Sequence, residues 1–109
     1  MPKVDVFTAQ TANATVQLAD ANGNPIAIDG VLAVDIAGTL GAAKVTTYIK
    51  HANAEINQWI AVADGTWPFD DTETYSGSDG AIIPMNSHFV KFVLASAGGG
   101  TSISLTAGW

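Results

Sequence analysis

The sequence predicts an all-β chain, a single antiparallel β-sandwich of jelly-roll or immunoglobulin-like type with eight or nine short strands. Three observations carry that expectation. Apolar and polar residues alternate with a period of two in four separate runs, the pattern of strands buried on one face. Turn-forming residues interrupt those runs at short intervals, as they do in sandwiches and barrels. Only one stretch rivals them with helix-forming composition.

Residues 1–3 read as a loose N-terminal arm, followed by candidate strands at 4–8 and 15–19. Asn22-Gly23-Asn24-Pro25 then supplies a turn, Gly for a positive φ and Pro for a set exit. In the next run Leu32, Val34 and Ile36 alternate with Ala33, Asp35 and Ala37. Gly38-Thr39-Leu40-Gly41 lies between two strong strand runs and reads as a hairpin. Beyond it Val45, Thr47 and Ile49 share one face, and Lys44, Thr46, Tyr48 and Lys50 the other. Residues 51–60 are the helical rival, rich in Ala, Glu and Gln. Asn53 and Asn57 count against a helix, and a loop entering a strand at 57–62 fits the neighbours better. Asp64-Gly65 and Ser78-Asp79-Gly80 read as turns beside short strands at 72–76 and 81–83. Val90, Phe92 and Leu94 then alternate with Phe89, Lys91 and Val93. After Gly98-Gly99-Gly100, Ile103, Leu105 and Ala107 alternate with Ser102, Ser104 and Thr106. The predicted core is Val34, Ile36, Val45, Ile49, Trp59, Val90, Phe92, Leu94, Ile103 and Leu105.

A length of 109 residues suits one domain, residues 1–109, with one core. A 48% hydrophobic content can build that core and argues against disorder. With no cysteine, disulfides and thiolate metal sites are excluded. No basic segment followed by an apolar stretch opens the chain, and no apolar run approaches the ~20 residues of a membrane helix. No signal peptide and no membrane partner are therefore expected. The net charge is −6, and the only cations are Lys3, Lys44, Lys50 and Lys91, with no arginine. Nucleic-acid affinity comes mainly from Lys and Arg on phosphate, so no nucleic-acid partner is expected. Charged residues make up only 13% of the chain, where ordinary surfaces carry roughly a quarter to a third. Eighteen Ala, eleven Gly and eleven Thr must cover much of the surface instead. Such a skin suits a protein whose faces are partly covered by other subunits.

The residues hold little catalytic chemistry. Acids gather between Asp64 and Glu73, and Asp64, Asp70, Asp71 and Glu73 could offer hard oxygens to calcium. A solvated acidic loop explains them more simply, so no metal and no cofactor are expected, and added calcium should leave the melting temperature unchanged. Asp20-Ala21-Asn22-Gly23-Asn24 fails the EF-hand pattern because Gly23 stands fourth rather than sixth and Val31 replaces the bidentate Glu. Adjacent Asp70 and Asp71 point apart in extended chain and do not make a glycosidase pair. His51 and His88 stand at no short ligand spacing. Ser87, His88 and an Asp would complete a triad only by inventory, without a G-x-S-x-G elbow. The glycine run is followed by no Lys and no helix start, so it is not a phosphate loop. No enzyme is expected. Trp59, Trp67, Phe69 and Tyr75 fall in seventeen residues. Aromatics of this kind pack cores, anchor interfaces or stack on sugars. Trp59 reads as core. Trp67-Pro68-Phe69 reads as surface, and Trp109 as docked on its own domain or a neighbour.

The order Asp35-Ile36-Ala37-Gly38-Thr39, Ala43-Lys44-Val45-Thr46-Thr47-Tyr48-Ile49, Gln58-Trp59-Ile60-Ala61-Val62-Ala63-Asp64-Gly65-Thr66 and a Gly-rich turn before Thr101-Ser102-Ile103-Ser104-Leu105 resembles small all-β structural proteins of tailed bacteriophages. These include capsid decoration (cement) proteins and modules of tail or fibre proteins. The resemblance spans about residues 30–107. It departs at Phe89-Val90-Lys91-Phe92-Val93, where such proteins present an Arg-bearing strand. It implies a non-enzymatic virion protein on the capsid exterior, partnered by the major capsid protein and often trimeric. The expected contact residues are Val4, Val6 and Phe7 of an arm over residues 1–7, together with Trp67, Phe69, Tyr75 and Trp109. The alternative is a receptor- or glycan-binding module of a tail fibre or adhesin, with Trp67, Phe69 and Tyr75 as its stacking platform.

Overall fold

The computed structural model describes residues 2–52, 58–62 and 74–109. Eight strands follow one another: β1 (Lys3–Gln10), β2 (Ala14–Gln17), β3 (Val31–Thr39), β4 (Lys44–His51), β5 (Ile60–Ala61), β6 (Thr74–Pro84), β7 (His88–Ala95) and β8 (Ser102–Gly108). No helix occurs among the described residues. The strands form two antiparallel sheets, ordered β1-β8-β3-β6 and β2-β7-β4-β5.

The pairing has a simple rule. β1 pairs with β8, β2 with β7, β3 with β6 and β4 with β5. The chain thus folds back on itself as one long two-stranded ribbon, and the ribbon wraps so that successive pairs fall in alternate sheets. The contacts of β3 with β8 and of β4 with β7 close each sheet. This wrapped ribbon is the jelly roll, not the immunoglobulin sandwich.

Alternation places the core where the sequence expects it. Val34, Ile36, Val45, Val90, Phe92, Leu94, Ile103 and Leu105 are all buried. Ile49 is half-buried and packs against that core. Leu18, Ile28, Leu40 and Met85 add buried side chains from the connections between strands.

Five expectations are corrected. Gly38-Thr39-Leu40-Gly41 is not a hairpin, because β3 and β4 belong to opposite sheets. The segment turns a corner of the sandwich, with Leu40 buried and its carbonyl accepting a 2.8 Å hydrogen bond from the Thr101 hydroxyl. Ser78-Asp79-Gly80 is not a turn but part of β6. The candidate strands at 72–76 and 81–83 contribute to this single strand, whose register against β3 slips between Ile36 and Ala37. Pro2 and Lys3 are not a free arm: Lys3 already pairs with Gly108, and the Trp109 amide donates to the Pro2 carbonyl. Val6 and Phe7 are both buried, because irregular register in β1 turns two successive side chains inward. Trp59 is only half-buried and lies outside the core. Of the strand expected at 57–62, only Ile60–Ala61 forms β5, and residue 57 lies outside the described residues.

The Asn22-Gly23 turn forms as expected. The Asp20 carboxylate accepts from the amides of Asn22 and Asn24 at 2.9 and 3.0 Å. One core group stands out: the buried Thr47 hydroxyl finds no hydrogen-bond partner among the described residues. A desolvated, unpaired hydroxyl costs about 1–3 kcal/mol. Thr47→Val keeps the shape and removes the polar atom, so thermal or urea unfolding should show the variant at least as stable as wild type, by up to ~1 kcal/mol.

Candidate interaction surface

The two sheets turn their outer faces to solvent, and these faces differ in chemistry. Strands β2, β4, β5 and β7 contain no Asp or Glu. They carry Lys44, Lys50 and Lys91, three of the four basic residues in a chain of net charge −6. The strand acids Asp5, Asp35 and Asp79 all belong to the other sheet. Cross-strand neighbours of opposite charge stabilise a sheet face. Among the described residues, Lys50 and Lys91 have aromatic neighbours instead.

Period-two alternation explains the grouping. With Val45, Thr47, Val90, Phe92 and Leu94 turned inward, Tyr48, Lys50, Phe89 and Lys91 must face out. Register then sets Lys91 opposite Tyr48 and Lys50 opposite Phe89. Trp59 enters from the residue before β5. The Lys91 ammonium lies 4.5 Å from the Trp59 ring centre and 5.4 Å from that of Tyr48, and Lys50 approaches Trp59 at 6.0 Å. Such cation–π contacts contribute about 0.5–1 kcal/mol each at exposed sites. They hold the ammonium groups over a half-buried aromatic floor. The result is a positively charged, laterally apolar platform suited to a carboxylate-bearing partner surface.

The opposite outer face is apolar and weakly acidic. Val31 and Ile82 are exposed by more than half. Ala33 lies opposite Ile82, and Val31 opposite Pro84. Beside this patch, Pro2, Lys3, Ala33, Asp35, Thr106, Gly108 and Trp109 line an open groove of about 360 Å³. Trp109 is half-buried there and packs on its own domain.

The described contact candidates divide between core and surface. Val6 and Phe7 are core and cannot meet a partner; Val4 is half-buried against the same core. Tyr75 is half-buried and packs against the core. Trp109 lines the surface groove beside the apolar patch. Trp67 and Phe69 lie outside the described residues, as do Asp64, Asp70, Asp71 and Glu73. The lysine platform was not singled out from the sequence. Alternation turns Lys44 and Lys50 outward on β4 and Lys91 outward on β7, and the pairing of β4 with β7 brings them onto one face.

Ser87 and His88 do not form a triad. The Ser87 hydroxyl donates to the Asp29 carboxylate, and His88 Nδ1 donates to the Met85 carbonyl at 2.6 Å. Among the described residues no three His, Asp or Glu side chains converge on a point that could hold a metal. Compared with models of protein families, with curated proteins and with solved structures, the chain matches none.

Proposed function

We propose that this protein is a non-enzymatic structural component of a bacteriophage virion, a capsid decoration (cement) protein that binds and stabilises the assembled head shell from its exterior. Its partners in this reading are the major capsid protein and further copies of itself, as a homotrimer. The observation that carries the reading is the contrast between the two outer faces. One presents Lys44, Lys50 and Lys91, the last two over aromatics, and the other an apolar patch with Asp5 and Asp35. A protein with two unlike faces can hold the lattice with one and a sister copy with the other. Jelly rolls recur in viral capsid domains, but also in lectins and cupins, so the fold alone does not select the function. Because such a protein binds only the assembled shell, it stabilises that state by mass action, and several copies add avidity.

The test is to strip shells of the protein and add it back. Wild type should rebind to saturation and raise the heat resistance of the shells. Lys50→Glu combined with Lys91→Glu reverses the platform without touching the core, so rebinding should fall at least tenfold while the far-ultraviolet spectrum stays unchanged. Raised salt should weaken wild-type rebinding, since contacts between exposed charges are screened. If stripped shells never bind the protein while bacterial surface glycan does, the cement reading is wrong and the adhesin reading replaces it.

A further inference from the structure

On the outer face of the sheet β1-β8-β3-β6, pairing sets outward side chains side by side in rows. Register puts Lys3, Gly108, Ala33 and Ile82 in one row, and Asp5, Thr106, Asp35 and Gly80 in the next. The two middle positions of the first row have almost no side chain, while Lys3 and Ile82 stand at its ends. Gly108 and Ala33 thus leave a hollow, the floor of the groove of about 360 Å³. Trp109, directly after Gly108, forms a wall. Its amide donates to the Pro2 carbonyl at 3.2 Å, and the residue packs against the core, so the wall is anchored. The volume lies toward the lower end of ligand sites and suits a small cyclic ligand.

The polar groups around that floor are of both signs. Among the described residues the Asp35 carboxylate and the Lys3 ammonium have no hydrogen-bond or ion-pair partner, and both line the groove. The Thr106 hydroxyl donates to Asp5 at 3.3 Å, which leaves its oxygen able to accept. A ligand of single charge is attracted by one of Lys3 and Asp35 and repelled by the other. A neutral ligand rich in hydroxyls escapes that conflict. It donates to Asp35, accepts from Lys3 and donates to Thr106, and hydrogen bonds to charged groups are the stronger kind. It also needs an apolar side to lie against Trp109 and Ala33. A pyranose ring combines the two, with C–H groups on one face and hydroxyls around its rim.

We propose that this groove is a binding site for a neutral saccharide. One pyranose ring sits on Ala33 and Gly108 against the Trp109 indole, with its hydroxyls bonded to Lys3, Asp35 and Thr106. A single ring in so open a groove binds with millimolar affinity, and several copies in an oligomer raise it by avidity. The site goes beyond the capsid reading and does not rest on it, because the groove and the lysine platform belong to different sheets.

The experiment is titration of the full chain with the methyl pyranosides of glucose, galactose, mannose and N-acetylglucosamine, followed by amide and indole NMR spectra. Glycine, acetate and guanidinium serve as charged probes. At least one pyranoside should give saturable shifts in the millimolar range, largest at the amides of Lys3, Ala33, Asp35 and Gly108 and at the Trp109 indole. The Trp59 indole, on the other sheet, should not move. Asp35→Ala removes the acceptor and Ala33→Leu fills the floor, and both positions are exposed, away from the core. Each substitution should weaken binding at least fivefold, with thermal unfolding as the check that the variant folds; should one fail to fold, the other decides. Lys50→Glu combined with Lys91→Glu should leave the titration unchanged, so this result stands apart from shell rebinding. No saturable shift with any pyranoside overturns the proposal. So does binding that survives both groove substitutions, or tighter binding of a charged probe than of every sugar.

Discussion

Phe92→Ala is expected to lower the unfolding free energy by about 3–5 kcal/mol, the usual cost of emptying a buried aromatic site. Phe92 is fully buried. Its strand β7 lies between β2 and β4, and its direct partners are Val16 and Thr47. Strands on both flanks limit how far the backbone can collapse into the space a phenyl ring leaves. The check is urea unfolding at fixed protein concentration, because self-association would shift the midpoint. Phe89→Ala is the control. Phe89 is half-buried on the outer face of the same strand, so its loss should cost only about 1 kcal/mol.

Gly38→Ala should be comparably damaging for a different reason. Gly38 sits in β3 at φ +106°, a backbone conformation L-residues rarely adopt. A Cβ there would lie 2.1 Å from the backbone oxygen of Ser102. No side-chain rotation relieves a clash with backbone, so β3 and β8 would have to move apart where Gly38 pairs with Ile103. The conformational penalty of roughly 1–2 kcal/mol and the disturbed ladder together should cost about 3 kcal/mol or more. Gly23→Ala provides the contrast. Gly23 also has a positive φ, +82°, but a Cβ there meets nothing within 4 Å. Only the conformational term applies, about 1–2 kcal/mol. Thermal unfolding of the two variants side by side separates backbone clash from backbone strain. Similar losses in both would show that β3 and β8 accommodate the extra carbon.

The candidate surface was only partly legible in the residues. Trp109 was expected to dock, and it lines a groove on its own domain. Val6 and Phe7 were expected to reach a partner, but their positions in β1 make them core. Apolar side chains near a chain end carry no mark that tells an arm from a first strand. That distinction arises when β8 offers Lys3–Gln10 a hydrogen-bonding edge. Trp59 shows the converse. Its apolar neighbours suggested burial, yet two residues of β5 on the edge of a sheet cannot cover it, and it meets Lys91 on the outer face instead.

What the sequence by itself determined is which side of β3, β4, β7 and β8 is buried. Leu32, Val34 and Ile36 against Ala33 and Asp35, or Val90, Phe92 and Leu94 against Phe89 and Lys91, is a local pattern. Side chains alternate across a strand whatever it pairs with, so the pattern survives any topology. Tertiary structure alone decided the partners. The same alternation on either side of Gly38-Thr39-Leu40-Gly41 serves a hairpin or a corner equally well. The corner forms because β3 finds β8 and β6 while β4 finds β7 and β5. Those pairings join segments tens of residues apart and depend on closing long loops and filling one common core, and neither is written in a short window of sequence. The lysine platform and the Trp109 groove belong to that second class. The platform exists only because the wrapped ribbon brings β4 and β7 into one register, and the groove only because β8 lies between β1 and β3.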